Sequence, residues 1–325
     1  MSILLTGATG FIGKQLVGEL IKQDEEVHIL CRPTSDISGL DDPRITIFSG
    51  DVTNLENISN AMQGCDCVYH LAALAKNWAP NPDIFDKINV TGTNNILSIA
   101  EKLSVEKVVI TSTSMTLKSS EEDPVKESDG RAEHILTDYA RSKARSEDSA
   151  MKYCERGLEV VFVNPTRVFG PGLMTEGNSA TLMIQLYMQG KWRYVLGDGN
   201  AIGNYGFVDD IVTGHIQAMQ HGKSGELYTL GGENLSFNKF FEILAELSEV
   251  RHHLFHIPLS LIQLVSKLEI TRAKLFRGYP LITPEWVEVF SKNWAFSCAK
   301  AEKDLEYRIT PFREALSRTI NWIKD

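Results

Sequence analysis

Residues 3–13 read Ile-Leu-Leu-Thr-Gly-Ala-Thr-Gly-Phe-Ile-Gly. The apolar first half predicts a short buried β-strand, and the apolar spacing from Phe11 onward is typical of a helix. Gly7 suits the tight turn between them, Gly10 lets the backbone approach a pyrophosphate, and Gly13 allows close packing of helix on strand. The free N–H groups at the start of that helix would face the phosphates. Because the glycines follow a strand and open a helix, we favour dinucleotide binding over a purely structural turn.

Beyond this unit, short β-rich runs alternate with helical patterns through the first half of the chain. The strand runs are mostly continuous in apolar residues, as is typical of strands buried on both faces of a parallel sheet. The predicted strands span residues 3–6, 27–31, 45–48, 67–70, 107–111 and 159–163. The predicted helices span residues 11–22, 55–62, 83–103 and 137–156. We therefore predict an α/β fold with a doubly wound (Rossmann) parallel sheet.

The second half of the chain is less regular and predicts a separate unit. A glycine-rich stretch covers residues 197–206, and the last ninety or so residues are mainly helical in pattern. The chain has 325 residues, about twice the usual size of one domain. We predict a nucleotide-binding domain over residues 1–170, to which about 204–232 returns, and a smaller, mainly helical substrate-binding domain over 171–325.

Composition excludes several classes of protein. Apolar residues make up 43% and charged residues 23% of the chain, which argues against disorder. The formal net charge of −9 gives no general attraction to nucleic acid or to an anionic membrane. No signal peptide or membrane span is recognisable, and the five scattered cysteines favour reduced thiols in a cytoplasmic protein. We expect no metal site, since neither the cysteines nor His252, His253 and His256 have a spacing that indicates one.

The end of the second predicted strand bears on the choice of cofactor. Enzymes that use NAD commonly place a carboxylate there to hold the ribose 2′-hydroxyl, but this chain has Cys31 at that point. The next residue, Arg32, offers a planar cation that suits a 2′-phosphate. An ordinary surface arginine is the alternative interpretation. We therefore favour NADP(H) and leave NAD(H) open.

A tyrosine and a lysine stand four residues apart in the predicted helix over residues 137–156. At this spacing Tyr139 and Lys143 share one face of the helix. An ammonium beside a phenol favours the phenolate, so we expect Lys143 to lower the pKa of Tyr139 and make it a usable acid or base. A cluster of hydroxyl side chains, residues 111–114, lies at the C-terminal end of a predicted strand, the edge where open α/β sheets bind ligands.

Together these residues resemble the extended short-chain dehydrogenase/reductase superfamily, specifically its NAD-dependent epimerase/dehydratase family. Further segments that carry the resemblance span residues 50–52, 68–73, 89–93, 164–172 and 208–210. The cofactor-binding residues that the resemblance implies, together with those of the glycine turn, are Gly7, Thr9, Gly10, Phe11, Ile12, Gly13, Arg32, Ser35, Asp51, Val52, Leu71, Ala72, Ala73, Asn89, Tyr139, Lys143, Pro165, Thr166 and Val168.

The resemblance also implies a mechanism and a catalytic set. NADPH would deliver hydride to a carbonyl carbon while Thr113 orients the carbonyl and Tyr139 supplies the proton. Lys143 would hold the cofactor ribose and tune Tyr139. Ser112 and Ser114 stay open as alternatives to Thr113. Family members are often dimers through helices equivalent to residues 83–103 and 137–156, so a homodimer is possible.

Departures from the general family pattern narrow the expected substrate. Residues 32–35, Arg-Pro-Thr-Ser, resemble the NADP-type ending of the dihydroflavonol 4-reductase and 3β-hydroxysteroid dehydrogenase-like branch. Ser114 and Met115 stand where sugar-nucleotide dehydratases usually have acidic residues. Gly203 stands where many nucleotide-sugar enzymes have an arginine for the substrate pyrophosphate. We therefore expect a carbonyl reductase for a ketone or secondary alcohol on a fairly apolar small molecule. An NAD-dependent nucleotide-sugar epimerase or dehydratase and a non-catalytic dinucleotide sensor are the alternatives.

Overall fold

The computed structural model describes residues 1–276 and 278–325 of the chain. Its strands, in chain order, are β1 (Ser2–Thr6), β2 (Glu26–Cys31), β3 (Ile45–Ser49), β4 (Cys67–His70), β5 (Lys107–Thr111), β6 (Glu159–Pro165), β7 (Arg167–Phe169), β8 (Tyr194–Leu196), β9 (Ile202–Phe207), β10 (Leu227–Leu230), β11 (Glu233–Ser236) and β12 (Phe255–Ile257). Its helices are α1 (Phe11–Lys22), α2 (Leu55–Met62), α3 (Asp83–Phe85), α4 (Gly92–Leu103), α5 (Asp138–Cys154), α6 (Ser179–Met188), α7 (Val208–His221), α8 (Phe237–Ser248), α9 (Leu259–Phe276), α10 (Pro284–Ser291), α11 (Ala299–Leu305) and α12 (Phe312–Lys324). The strands predicted in the first half of the chain are confirmed, with ends that differ by a residue or two.

The main sheet has seven strands in the order β10-β6-β5-β4-β1-β2-β3. All neighbouring strands in it run parallel. The order reverses at β1, whose last residue Thr6 pairs with Leu30 on one side and His70 on the other. In doubly wound sheets the ligand crevice opens at the carboxyl edge of such a reversal. The α/β doubly wound prediction is therefore confirmed.

Helices cover both faces of this sheet, which explains the continuous apolar runs in its strands. Leu4 and Leu5 are adjacent residues of β1, and both are completely buried. Leu5 packs in the core that includes residues of α1 and α7, whereas Leu4 packs in the opposite core with residues of α2 and α4. Because successive side chains of a strand point to opposite faces, neither face could stay polar.

The second half of the chain forms smaller sheets around a core of its own. One sheet has the order β11-β9-β7, and a second pairs β12 with β8. Their core is rich in aromatic rings, and the ring of Phe312 contacts those of Phe169, Tyr205 and Phe240. Within the predicted returning segment 204–232, α7 and β10 do pack with the main sheet, while β9 belongs to the smaller sheet. The two-domain division stays a prediction.

The helix predicted over residues 83–103 is interrupted. A π-helical turn, Asp86–Thr91, lies between α3 and α4. Apolar spacing cannot reveal such a turn, because the extra residue of a π turn shifts the register by only one position. No helix of residues 1–276 or 278–325 is long and apolar enough to cross a membrane.

Candidate active site

The glycine turn after β1 has the geometry that the sequence predicts. Gly7 has φ +80°, and a Cβ there would lie 2.7 Å from the backbone of Leu71 and Ala72. A Cβ on Gly13 would lie 2.1 Å from the Gly7 carbonyl oxygen, so helix and turn meet backbone to backbone. Gly10 caps α1 without any side-chain hydrogen bond. The first-turn N–H groups are therefore available to a diphosphate, which fits a dinucleotide at this turn.

Among the other predicted residues of the turn, Thr9 and Ile12 are partly exposed and can face a ligand. Phe11 is different, because its ring is buried in the core and a Cβ on Gly172 would lie 3.0 Å from that ring. The Phe11 ring therefore packs mainly into the core, and the expectation that Phe11 binds cofactor stays a prediction.

At the end of β2, the Arg32 side chain is exposed. It forms no ion pair with any carboxylate of the described residues. Its carbonyl oxygen accepts a 2.9 Å hydrogen bond from the N–H of Ser35, which curls the segment into a turn. Burial raises the pKa of the neighbouring Cys31 thiol, which stays uncharged at neutral pH. At the end of β2, Arg32 is therefore a cation without an ion-pair partner among the described residues, and Cys31 adds no negative charge.

The segment at the end of β3 is held mainly by its own hydrogen bonds. The Asp51 carboxylate accepts bonds from the Thr53 N–H at 2.8 Å and from the Thr53 hydroxyl at 2.7 Å. Val52 is buried, and a Cβ on Gly92 would lie 2.8 Å from its side chain. The glycine at the start of α4 thus lets that helix approach the Val52 side chain closely and hold the segment after β3 at the sheet edge.

Tyr139 lies in the first turn of α5, which Thr137 caps by accepting a 3.1 Å bond from the Ala140 N–H. The Tyr139 hydroxyl lies beside Thr113, just beyond β5, and the Thr113 side chain lowers the Tyr139 pKa against the effect of burial. The Ser112 hydroxyl instead donates to the buried Glu147 carboxylate. Of the hydroxyls that the sequence left open, Thr113 is thus the one that the structure brings together with Tyr139.

The electrostatics of this pair differ from the expectation. Burial raises the pKa of Tyr139 to about 12, and the Thr113 side chain lowers it only in part. Lys143 is 1% exposed, and burial lowers the pKa of its own ammonium to about 8. The prediction that the Tyr139 pKa is lowered was therefore wrong for the protein by itself, because burial of the phenol and the nearby Glu147 carboxylate both raise this pKa. Tyr139 is a protonated phenol at neutral pH, the form that can donate a proton.

Glu147 is a buried carboxylate that sequence analysis missed. Its oxygens accept bonds from Thr116 at 3.2 Å, from Asn164 at 3.1 Å and from Arg131 at 2.7 Å. It stands one helical turn beyond Lys143 and raises the Lys143 pKa against the effect of burial. The four-residue spacing from Tyr139 through Lys143 to Glu147 is the one sequence signal that could have pointed to it.

Asn89, in the π turn, connects the loop after β4 to α5. Its side-chain oxygen accepts a 2.7 Å bond from the Leu74 N–H, and its NH₂ donates to the Ser142 hydroxyl at 2.8 Å. Ser142 in turn donates to the Tyr139 carbonyl oxygen at 2.7 Å. Asn89 is completely buried, so these bonds position the Tyr139 turn, while the expected contact of Asn89 with a cofactor stays a prediction.

The remaining predicted cofactor residues line the same edge. Leu71, Ala72 and Ala73 follow β4 beside the glycine turn and are partly exposed. Thr166 is half-buried and donates a 2.8 Å bond to Asn204, while the flanking Pro165 and Val168 are buried. Within the described ranges, no three His, Cys, Asp or Glu side chains group as a metal site would require.

His70 lies in the interior beneath this edge. Its ring nitrogens are 2.8 Å from the Thr6 hydroxyl and 3.0 Å from the Thr93 hydroxyl. Burial lowers the pKa of the ring to about 3, so His70 is neutral at physiological pH. Its hydrogen bonds tie β1 and β4 to α4 and fix the two strand ends that form the edge.

Known proteins of similar sequence and structure agree with this architecture. The chain is 26% identical to a putative dihydroflavonol 4-reductase from Synechocystis over 99% of this chain and 94% of that protein. It is 25% identical to the mouse (Mus musculus) sterol-4-alpha-carboxylate 3-dehydrogenase, decarboxylating, over 97% of this chain and 88% of that protein. The crystal structure of gox2253 matches with a TM-score of 0.85 and 29% identity, covering 99% of this chain and 98% of the other.

The family assignment rests on a longer sequence pattern than any one motif. Residues 3–231, well over half of the chain, match the profile of the NAD dependent epimerase/dehydratase family. This match includes the glycine turn, Thr113 and the Tyr139–Lys143 pair, and it confirms the resemblance drawn from the sequence. The chain therefore belongs to the NAD dependent epimerase/dehydratase family, an enzyme family that uses a nicotinamide dinucleotide.

Proposed function

We propose that the protein is an NADP(H)-dependent oxidoreductase that transfers hydride between nicotinamide and a ketone or secondary alcohol on a fairly apolar small molecule. The observation that carries this proposal is that the buried Tyr139 phenol interacts with the Thr113 side chain and stands one helical turn from the buried Lys143. This arrangement stands at the sheet edge where the glycine turn opens.

Thr113, Tyr139 and Lys143 each have a separate role in the proposed ketone reduction. The bound dinucleotide supplies the hydride. Thr113 orients the substrate carbonyl by donating a hydrogen bond to its oxygen, and Tyr139 donates the proton that this oxygen takes up. Lys143 holds the ribose of the dinucleotide, and its charge stabilises a phenolate formed at Tyr139. Alcohol oxidation uses the same groups in reverse, with Tyr139 accepting the proton.

Two observations support the choice of cofactor and substrate class. Arg32 is an exposed cation without a carboxylate partner in the described chain, which suits a 2′-phosphate. The names of the Synechocystis and mouse relatives refer to a dihydroflavonol reductase and a sterol carboxylate dehydrogenase. Both names describe oxidation or reduction at oxygen on a largely apolar ring system, which supports a substrate of this class.

Substitution of Tyr139 tests the assignment. Tyr139→Phe removes the proton donor, so we expect kcat for ketone reduction to fall by about 10²–10⁴-fold while the Kd for NADPH changes by less than about twofold. The matched control is Tyr153→Phe on the same helix, whose hydroxyl donates a 3.2 Å bond to the Asn94 carbonyl oxygen away from Thr113. NADPH consumption is followed with ketones, aldehydes and nucleotide sugars as substrates. An unchanged kcat in Tyr139→Phe would refute the assignment.

A homodimer through the helices at residues 83–103 and 137–156, a cytoplasmic location and the two-domain division belong to the same proposal. Paired charges lie on these helices, such as Arg156 with Glu101 at 2.6 Å. Such exposed pairs contribute little to association by themselves. Light scattering coupled to size-exclusion chromatography measures the oligomeric state directly.

A further inference from the structure

Helix α9 exposes a row of large apolar side chains to solvent. Their exposed fractions range from 39% at Val265 to 72% at Leu275. The residues of this row are Leu261, Leu264, Val265, Leu268 and Leu275. Because they follow one another at helical spacing, they lie on one side of α9, which we call its outer face. Proteins that work alone in water seldom expose so large an apolar surface, so the outer face requires a partner.

The opposite side of α9 is already covered by the protein itself. The helix packs against α10, and its buried residues are the small Ser266 and Ala273. Ile262 and Ile270 are half-buried. The helix is therefore apolar on both sides, while its larger side chains point outward. A helix that is apolar all round is normally buried, which the outer face of α9 is not.

Basic side chains border the outer face. Lys267 and Lys274 are exposed, and neither forms an ion pair with a carboxylate in the part of the chain that the structure describes. Glu269 is the only acidic residue of α9. Its carboxylate already accepts a 2.8 Å bond from Arg272 and a 2.9 Å bond from the Leu281 N–H. The two lysines therefore keep their positive charge available to a partner.

The charge around α9 decides between the partners that an apolar face could have. Residues 251–276 contain four lysines and arginines and one glutamate, although the whole chain has a formal net charge of −9. A symmetric contact with a second copy would bring the same cations together, which opposes association. An anionic bilayer instead offers acyl chains to the leucines and phosphates to the lysines, whose long side chains reach the headgroups.

We propose that the outer face of α9 binds the surface of an anionic lipid bilayer, with the helix lying in the plane of the membrane. Tyr279, which follows the helix, donates a 2.7 Å bond to the Trp78 carbonyl oxygen. The Arg272 guanidinium bonds the Tyr279 carbonyl oxygen at 2.8 Å. These contacts connect α9 to the loop after β4. The inference does not depend on the proposed function, although a bilayer would also concentrate an apolar substrate near the protein.

Sedimentation of the full-length protein with lipid vesicles tests this proposal without requiring turnover. One kind of vesicle contains phosphatidylcholine and phosphatidylserine, and the other contains phosphatidylcholine alone. We expect the wild-type protein to bind the anionic vesicles about 10-fold or more tightly than the neutral ones. Leu268→Ser should weaken the apparent Kd for anionic vesicles by about 10-fold or more, and Lys267→Gln should weaken it by about fivefold.

Two matched controls lie on other helices. Leu55→Ser changes a leucine of α2 that is 50% exposed, and Lys102→Gln changes an exposed lysine of α4. Both should keep the apparent Kd for anionic vesicles within about twofold of the wild-type value. The Kd for NADPH, measured for every variant, should also stay within about twofold, which shows that the fold is intact.

The outcomes that would overturn the proposal are distinct. They are no binding of the wild-type protein to either kind of vesicle, or equal binding by the wild-type protein and Leu268→Ser. Equal binding to the two kinds of vesicle would contradict the assignment to an anionic surface. A wild-type protein that binds no vesicles but has a larger mass by light scattering than Leu268→Ser would assign the outer face to a second copy instead.

Discussion

At Lys143 the needs of the fold and of the proposed reaction oppose each other. The side chain is 1% exposed, makes no ion pair in the described part of the chain, and has a pKa that burial lowers to about 8. The folded protein therefore holds this proton less tightly than the unfolded chain, whose lysines titrate near 10.5. At neutral pH this difference costs on the order of 3 kcal/mol of stability.

Removing the charge should therefore stabilise the protein. We expect Lys143→Met to raise the free energy of unfolding at pH 7 by about 1–3 kcal/mol and to abolish turnover. In the wild-type protein this cost is present below pH 8 and disappears as the pH rises from about 8 towards 10.5, so the advantage of the variant should shrink at pH 10. Urea unfolding of the wild-type protein and the variant at pH 7 and at pH 10 measures this difference in the free energy of unfolding. Lys152→Met, at an exposed lysine of the same helix, should change stability by less than about 0.5 kcal/mol.

Arg32 makes a separate prediction about cofactor choice. Arg32→Ala removes the cation that we assign to the 2′-phosphate, so the Kd for NADPH should rise by about 10- to 100-fold. NADH lacks this phosphate and serves as the internal control, with a Kd that should change by less than about threefold. Fluorescence titration of both cofactors against both proteins measures the four constants. Equal losses for NADPH and NADH would refute the role.

At the scale of elements, the π turn Asp86–Thr91 connects the loop after β4 to the first turn of α5. Asn89 bonds Leu74 on one side and Ser142 on the other, and Ser142 bonds the Tyr139 carbonyl oxygen. We expect Asn89→Ala to lower kcat by about 10-fold or more, because the Tyr139 turn loses its anchor. Asn89→Ala should also lower the free energy of unfolding by about 1–3 kcal/mol, because the groups that the Asn89 side chain bonds would be left buried and unpaired.

The control for Asn89 lies on α4. Asn94 also accepts a bond from a serine of α5, Ser149, farther along the helix from Tyr139. Asn94→Ala should therefore lower stability without lowering kcat in assays well below the unfolding temperature. Comparable losses of kcat in the two variants would show that general loosening of α5, rather than the position of Tyr139, limits turnover.

The elements also show which features the sequence could and could not reveal. Strands such as β1 and β5 were predictable because burial on both faces leaves an unbroken apolar run. The Tyr139–Lys143 pair was visible because residues four apart share a helix face. The partners of Glu147 come from residues 112–116, 131 and 164, and no local pattern relates them. Desolvation at Tyr139 likewise depends on tertiary packing, so its pKa was predicted in the wrong direction.

On the scale of the whole molecule, the C-terminal segment joins the two halves of the protein. Residues 202–207 and 312–320 contribute to the aromatic core of the second half. Between 298 and 307, however, the chain returns to the main-sheet core, where Leu305 and Tyr307 pack with residues of β1 and α7. The Tyr307 hydroxyl donates a 2.7 Å bond to the Gly231 carbonyl oxygen, just after β10. The main sheet is thus completed by residues near the end of the chain.

This arrangement predicts that the two halves unfold together. Leu305 is 0% exposed, so Leu305→Ala should lower the free energy of unfolding by about 2–5 kcal/mol. The control is Leu261→Ala, at a leucine of α9 that is 52% exposed, which should lower it by less than about 0.5 kcal/mol. Tryptophan fluorescence reports mainly on residues 192–322, and loss of NADPH binding reports on the glycine turn. In Leu305→Ala both signals should shift to the same lower urea concentration. The removed side chain belongs to the main-sheet core, and residues 312–320, a few positions further along the chain, pack in the aromatic core of the second half. A shift in NADPH binding alone would mean that the halves are independent, and the C-terminal segment would then be an appendage to the sheet rather than the connection between them.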